Sequence, residues 1–562
     1  MQDYLKKQLL LVLSEIDGVP DDFEPEFEKP KSAEHGDLSS NAPMKLARYL
    51  RKSPRQIAED LAARLQSAGL DTDRISSIEV ADAGFLNFRY GTGFLYRGLE
   101  HILGAGEDFG RKTPSSSGRA LVEFVSANPT GPLTVGHGRN AVLGDTVANL
   151  LEWAGYDVTR EYYFNDAGRQ MRILGQSVKA RYEAIANPDT KFRTIDSDGI
   201  EIVVPESFPE DGYLGDYIKD VAASLFEKHG DTLLSESEEI FKSAAEKSIF
   251  KEINAALKRL GIHMDSFFNE KTLYENDRVY EIVDLLREKD LAYDKDGAVW
   301  FRTTAFGKEK DTVLIKSTGE PTYRLPDIGY HIDKLERGYN LIVNVFGADH
   351  IATFPDVLNG IRALGYNPDP IDVIIYQFVT LIRNGQPVKM STRKAQYVTL
   401  DELMDEVSED VTRFFFLMRS AHTHLEFDLD LAKEASDTNP VFYLQYAHAR
   451  VCSILRKAEE VGFSFDDDTN FSLLQHEAET TLIKELILFP EVLEKAAAAR
   501  EPHRVSNYLR EVATRFTQFY GQCRIIGEST DLASARMALA RASRIVLKNG
   551  LTVLGISAPE RM

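Results

Sequence analysis

Residues 121–145 read LVEFVSANPTGPLTVGHGRNAVLGD. An apolar run gives way to two turns rich in Asn, Pro and Gly, then to a lone His137 between Gly136 and Gly138. The run "ALVEFV" has the character of a buried strand. Beyond the histidine, Leu143, Val147, Leu150 and Ala154 recur on one helical stripe, and Gly155 stops it. "YDVTREYYF" then supplies a second strand. Strand, turn, helix, strand is the unit of a parallel sheet. The loop after such a strand lies at the carboxyl edge of the sheet, where ligand crevices form. The helix that follows turns its free N–H groups and partial positive charge to the same crevice, which makes an anion site. Glycine at 136 and 138 predicts close backbone approach there. A single histidine at a helix start is, taken alone, more often a cap or a packing residue.

The pattern continues outward. "LIVNVF" (341–346) and "VIIYQFV" (373–379) predict further strands of the sheet, and the polar stretch of roughly 170–320 reads as a large insertion. Before the sheet, residues 1–112 predict an α+β unit. Its helix "SPRQIAEDLAARLQSAG" has Ser53 as N-cap, Pro54 inside and Gly69 as stop; "IEVADAGFLNFRY" reads as strand, Gly turn, strand. "GRKTPSSSG" is a linker by composition. From about residue 400 the pattern is almost entirely helical. The expected fold is α/β: a Rossmann-like parallel-sheet catalytic domain over 113–390, a connection over 391–438, and an all-α bundle over 439–562.

Composition narrows the classes. The 562 residues are 43% apolar, enough for a sizeable core, and length alone suggests several domains. Two distant cysteines, Cys452 and Cys523, suit a reducing cytosol and no disulfide framework. "MQDYLKKQLLLVLSEIDG" reads as an amphipathic helix rather than a signal peptide, and no apolar run approaches the ~18 residues of a membrane span. Net charge is −22, yet residues 501–562 hold nine Lys/Arg against five Asp/Glu. A basic end on an acidic chain suits a polyanionic partner, although a solvated helix face gives the same count.

A second motif pairs with the histidine. "LIRNGQPVKMSTRKAQYVTLDELMDEV" places Lys389, Arg393 and Lys394 in a loop. Asn384-Gly385 precedes it as a turn, and Thr399 with Glu402, spaced as a capping box, follows it. Cations facing a helix N-terminus suit phosphoryl or nucleotidyl transfer, where charge builds on a leaving pyrophosphate. No Gly-x-x-x-x-Gly-Lys-Ser/Thr occurs, which argues against a P-loop NTPase. "HTHLEFDLD" alternates His and acids, a pattern that suits the wet face of a strand better than a metal site.

"VGHGR" beside "KMSTR" resembles the paired HIGH and KMSKS motifs of class I aminoacyl-tRNA synthetases. The surroundings resemble the arginyl-tRNA synthetase family: "EHGDLSSNAPMKLA", "EFVSANPTGPLTVGHGRNAVLGD", "DGYLGDYIKDVA", "GEPTYRLPDIGYH", "NVFGADH", "VKMSTRKAQYVTL", "RFFFLMRSAHTHLEFDLDLA", "NPVFYLQYAHAR" and "GLTVLGISAPERM", in order along nearly the whole chain. The resemblance implies a ligase that activates L-arginine with ATP and passes it to the 3′ end of tRNA(Arg). Mg²⁺ is then carried with ATP and no metal is held by the protein; we expect a cytoplasmic monomer with no membrane partner.

The same resemblance implies residue roles. Gly136, His137 and Gly138, with Lys389, Met390 and Ser391, match the ATP site; His137, Lys389, Arg393 and Lys394 match the catalytic groups. Glu123 and Asn128 match the holders of arginine's α-amino and carboxylate groups. Tyr323 and Asp327 match the pair that reads the guanidinium, and Asp349 faces the same pocket. A carboxylate meets a planar guanidinium with two parallel bonds that lysine cannot imitate. Two residues depart from the pattern: Thr134 replaces the first histidine and Thr392 the second lysine, with no compensating lysine in "NPTGPLT". The N-terminal unit resembles the domain that touches the tRNA elbow. The bundle resembles the anticodon-binding domain named for its Asp-Ala-Leu-Arg box, of which Ala535 and Arg536 remain. There Tyr443 and Tyr446 stack on unpaired bases, or pack between helices, and Arg536 supplies counter-charge. Two rivals are a class I synthetase for another amino acid, which Tyr323 and Asp327 oppose, and a binding relative without catalysis, which the two threonines suggest.

Overall fold

The computed structural model describes the chain except residues 31, 167, 198–199, 389–397 and 461–468. In the N-terminal unit, helices α1 (Gln2–Leu13), α2 (Ala42–Leu50) and α3 (Pro54–Ser67) pack on strands β1 (Phe27–Glu28), β2 (Leu38–Ser40), β3 (Ile75–Val80) and β4 (Leu86–Tyr90). The strand order is β1-β2-β4-β3, antiparallel throughout. Ser53 and Gln56 form the capping box that starts α3. Leu5 and Leu9 of α1 share a core with Leu61 of α3 and Phe88 of β4. Helix α4 (Thr92–Ala105) leaves this core. Its Leu95, Leu99 and Ile102 are buried with residues of the C-terminal bundle, and Gly98 lies so near Ile487 that a Cβ would approach it to 2.5 Å.

The main sheet follows. Strand β5 (Gly118–Glu123), helix α5 (Val135–Trp153) and strand β6 (Tyr156–Phe164) form the expected unit. The chain then makes α6 (Gly168–Ala186), the hairpin β7 (Phe192–Ser197) and β8 (Ile200–Pro205), and α7 (Asp216–His229) and α8 (Glu238–Arg259), both packed on α6. Strand β9 (Ser266–Asn269) returns to the main sheet beside β6, so one strand of that sheet lies inside the stretch read as insertion. Helices α9 (Lys271–Glu275) and α10 (Arg278–Glu288) lead to a small antiparallel sheet of β10 (Ala292–Lys295), β11 (Ala298–Phe301) and β12 (Thr312–Ile315). Helix α11 (Arg324–Glu336), β13 (Leu341–Gly347), α12 (Phe354–Ala363) and β14 (Ile371–Tyr376) complete the domain. The sheet order is β14-β13-β5-β6-β9, with every neighbour parallel.

"VIIYQFV" is not one strand. It spans the end of β14 and the start of β15 (Val379–Arg383), which belongs to another sheet with β16 (Gln386–Pro387) and β17 (Leu425–Asp428). The β15–β16 turn is the Asn384-Gly385 pair, with φ of 51° and 70°, the left-handed geometry a two-residue hairpin requires. Helices α13 (Leu400–Val407), α14 (Glu409–Leu417) and α15 (Leu429–Lys433) flank that sheet. The bundle is α16 (Pro440–Glu460), α17 (Glu477–Leu486), α18 (Phe489–Ala499), α19 (His503–Gln522) and α20 (Thr530–Leu554).

Helix α5 carries more than one apolar stripe. Arg139, Asn140, Asp145 and Thr146 are buried with Leu143 and Val147, because β5, β6 and β13 lie on one side while α13, α14, α18 and α20 pack on the other. The fully buried Arg413 of α14 answers the polar groups. It donates to Asp145 Oδ2 (2.6 Å), to the Leu554 carbonyl closing α20 (3.0 Å) and to the Leu260 carbonyl closing α8 (2.8 Å). Arg160 Nε also lies 3.4 Å from Asp145 Oδ1, but a buried carboxylate that loses its closer partner is costly. We expect Arg413→Leu to lose about 3–5 kcal/mol in denaturant unfolding, and Arg413→Leu with Asp145→Asn to recover part of that loss. A full-sized loss in the double variant would contradict this account.

Candidate active site

The order of the sheet turns outward at β5, with β6 on one side and β13 on the other, so a crevice opens between the carboxyl ends of β5 and β13. Asn140, in the first turns of α5, stitches that crevice. Its Oδ1 accepts from Val125 N–H at 2.7 Å and its Nδ2 donates to the Val345 carbonyl at 2.9 Å. Val125 and Ser126 take φ of 64° and 42°, left-handed values that a β-branched residue rarely adopts. Such strain, about 1–3 kcal/mol per residue, persists only where neighbours enforce it. Here the enforcement comes from Asn140, from Tyr162, whose hydroxyl donates to Ala127 O at 2.7 Å, and from Tyr217, whose hydroxyl donates to Thr130 O at 2.5 Å. Tyr217 lies in "DGYLGDYIKDVA", so that motif tethers the loop from the insertion side.

His137 occupies the first turn of α5, half-buried at the crevice. Thr134 is the N-cap: its hydroxyl accepts from His137 N–H at 3.4 Å, and its own N–H donates to His137 Nδ1 at 3.2 Å. Burial lowers the imidazole below its usual value, so the ring is neutral at neutral pH. A neutral ring whose Nδ1 accepts carries its hydrogen on Nε2, which leaves Nε2–H as the free donor. Thr134, a departure from the family motif, therefore does a cap's work. The two glycines differ. A Cβ on Gly136 would meet only the Thr134 hydroxyl oxygen, at 3.7 Å; one on Gly138 would strike Leu400 at 2.5 Å. Gly138 thus serves the close packing of α13 on α5, not the ligand side.

The sequence pairing of two distant motifs is met in space. Thr399 forms an isolated β-bridge with Thr134, and Leu400 N–H donates to Leu133 O at 2.8 Å. On the other flank Val388 N–H donates to Leu381 O at 2.8 Å. The Thr399–Glu402 capping box is present. Lys389, Met390, Ser391, Thr392, Arg393 and Lys394 themselves lie outside the described residues.

Acidic groups gather on the other wall. Glu123, the last residue of β5, is buried; it accepts from Ser126 Oγ (2.9 Å) and from Lys334 Nζ (2.6 Å). Asp327 lies on the first turn of α11. Burial first, then the Glu123 and Glu270 carboxylates, push its carboxyl up to about 8. Glu270 follows β9, buried, and accepts from Tyr163 Oη (2.7 Å) and Tyr274 Oη (3.4 Å); burial raises it as well. Tyr323, at the N-terminus of α11, is 68% exposed. Asn128 sits half-buried on the loop and donates to Gln170 at 2.7 Å. Asp349 is exposed on the short turn beyond β13, 3.6 Å from His350. Sequence reading missed Glu270, Lys334 and Asn140. Only "FFNEKTLY", an acid just past an alternating run, hinted at Glu270. Among the described residues no group of His, Cys, Asp and Glu is arranged to hold a metal, and no helix is long and apolar enough to cross a membrane.

In the bundle, Tyr446 stacks on Phe442 at 6.0 Å, and the Arg450 guanidinium lies 4.8 Å over its ring. Tyr443 lines a polar cleft of about 320 Å³ with Asn507 and Arg510. Arg536 is largely buried instead: it pairs with Glu479 at 2.6 Å and donates to Arg524 O. Its guanidinium ties α20 to α17.

Comparison with known proteins follows this geometry. Residues 99–416 match the family model described as tRNA synthetases class I (R), catalytic domain. Residues 3–90 match the arginyl tRNA synthetase N terminal domain and 444–562 the DALR anticodon binding domain. A parallel sheet with a histidine at the helix end of its switch point, continued by these domains, is that of a class I aminoacyl-tRNA synthetase. The chain is 60% identical to the arginine–tRNA ligase of Salinibacter ruber and 47% identical to that of Prosthecochloris aestuarii, with 100% of both chains covered each time. The arginyl-tRNA synthetase of Thermus thermophilus superposes with a TM-score of 0.77 at 22% identity, covering 100% of each chain, a likeness of fold. The chain belongs to the arginyl-tRNA synthetase family.

Loss of the cap has a measurable cost. Thr134→Ala is expected to lose about 1 kcal/mol of stability and to raise KM for ATP as the His137 ring loses its anchor, while Thr134→Ser keeps both. Thermal unfolding and an ATP titration check this; an unchanged KM for ATP in Thr134→Ala counts against the anchoring role.

Proposed function

We propose that the protein is an arginine–tRNA ligase. A carboxylate oxygen of L-arginine attacks the α-phosphorus of ATP, the bond to the bridging oxygen breaks, and pyrophosphate leaves. A hydroxyl of the terminal adenosine of tRNA(Arg) then attacks the acyl carbon of arginyl-adenylate, and AMP leaves. The observation that carries this reading is the pairing of a helix N-terminus bearing a neutral His137 with a wall of carboxylates, the buried Glu123 and Glu270 and the half-buried Asp327, across one switch-point crevice. The first suits a polyphosphate, the second a cationic amino acid.

In this reading Nε2–H of His137 donates to the ATP phosphates, with Gly136 beside it. Asp327 and Glu270 take the guanidinium against Tyr323, Glu123 and Asn128 serve the α-amino and carboxylate end, and Asp349 borders the pocket. Lys389, Arg393 and Lys394 supply the cations for the leaving pyrophosphate, and Met390 and Ser391 border the ATP. Mg²⁺ enters with ATP. The protein works as a cytoplasmic monomer; Tyr443 and Tyr446 meet tRNA, with Arg536 holding their bundle in shape.

Pyrophosphate exchange into ATP that depends on arginine, and on tRNA, is the expected behaviour; lysine, citrulline and canavanine serve as comparisons. No exchange in either condition, with tRNA still bound, favours the binding relative without catalysis. His137→Ala is expected to lose roughly 2–4 kcal/mol of transition-state stabilisation, and turnover equal to the parent removes this mechanism.

Asp327 couples binding to pH. Its carboxyl titrates near 8 in the free site, and an adjacent guanidinium lowers it. At pH 7 arginine must then displace a proton. Affinity is expected to rise as pH climbs toward 8 and to level above it, and calorimetry in buffers of different ionisation enthalpy should register proton release. Binding at pH 7 without proton release contradicts the assignment of Asp327.

A further inference from the structure

Helix α11 presents Asp327, His331 and Lys334 on one face, at the i, i+4, i+7 spacing. Lys334 is entirely buried. Its Nζ donates to Glu123 Oε2 at 2.6 Å and to Asn344 Oδ1 at 2.7 Å, and lies 4.0 Å over the Tyr330 ring. The other neighbours are already matched. Arg337 forms two bonds with Glu161, at 2.6 and 2.8 Å, and Tyr330 Oη donates to Glu161 at 2.7 Å. Asp333 pairs with Arg337. His331 Nδ1 bonds the Asp327 carbonyl at 2.8 Å, and burial holds this imidazole neutral. Of the carboxylates on the pocket wall, Glu270 meets only hydroxyls and Asp327 no direct cation among the described residues; Glu123 has a full ion pair. A buried carboxylate bonded to a buried lysine is held in a fixed position, whereas one without such a partner is left for a ligand to meet.

We propose that Lys334 is a positioning residue for the amino end of the substrate: it fixes the Glu123 carboxylate in place while Asp327, on the same helix, waits for the guanidinium. This rests on the arginine reading above. The two ends of the wall then answer the two cationic groups of one amino acid. Lys334 never touches the substrate; it acts through Glu123 and through Asn344 of β13.

The test is Lys334→Met, with KM for arginine and for ATP measured by pyrophosphate exchange in the presence of tRNA from pH 6 to 9. The expected result is a rise in KM for arginine of at least about tenfold at pH 7, as expected when a buried hydrogen-bonded charge partner is truncated. KM for ATP stays within about twofold. An unchanged KM for arginine, or parallel rises for both substrates, overturns the proposal. If Lys334→Met does not fold, Asn344→Ala replaces it, since it keeps the ion pair and frees one lysine N–H. A smaller rise confined to arginine supports positioning; no rise, or an equal rise for ATP, overturns it. Absence of arginine-dependent exchange in the parent protein ends the arginine reading instead.

Discussion

Arg413 reaches acceptors in three separate parts of the chain: the middle of α5, the end of α8 in the insertion, and the end of α20 in the bundle. Helix C-termini carry unsatisfied carbonyls and partial negative charge, and a buried guanidinium with a fixed fork of donors answers two of them and a carboxylate together. Without that cation, burying α5 on all sides would leave Asp145 only its longer 3.4 Å contact with Arg160 and strand two carbonyl ends in an apolar interior. The N-terminus of α5, where His137 sits, is therefore held by a contact more than two turns downstream. The Gly555 Cα lies so close to the same guanidinium that a Cβ there would approach it to 2.1 Å, which explains why the turn after α20 is glycine.

From that anchor the crevice is built by short-range rules. The parallel order brings β5 and β13 side by side, Asn140 bonds a main-chain group on each, and the strained Val125–Ser126 step turns the loop over the opening. Charge is then distributed unequally. One end of the wall is paired in advance with Lys334, while at the other burial and the neighbouring Glu123 and Glu270 carboxylates push the Asp327 carboxyl up to about 8.

Much of this was legible in the sequence. The β5–α5–β6 unit, the Ser53 and Thr399 caps, and the Asn384-Gly385 turn each follow from local chemistry, and each stands as read. The harder parts are those that local chemistry does not determine. Strand β9 is four residues long and joins the edge of a sheet formed far away in sequence, so nothing near it marks it as part of that sheet. "VIIYQFV" is continuous in hydropathy but breaks at Gln377, whose carbonyl accepts from the buried Arg139 at 2.6 Å. Gly138 reads as a ligand-facing glycine until Leu400 is seen against it. Lys334 looks like any helical lysine, because what buries it comes from β5 and β13. Tyr443 and Tyr446 kept two readings in the sequence, and the stacking of Tyr446 on Phe442 is compatible with either.

The seven steps along α11 from Asp327 to Lys334 have a consequence for rigidity. An α-helix rises about 1.5 Å per residue, so this interval spans about 10.5 Å along the axis and cannot stretch. Asp327 stands on this helix and Glu123 is bonded to its Lys334, so both carboxylates are referred to one rigid rod. A loop can yield to a differently shaped substrate, but a helix packed on both flanks moves its two groups together or not at all.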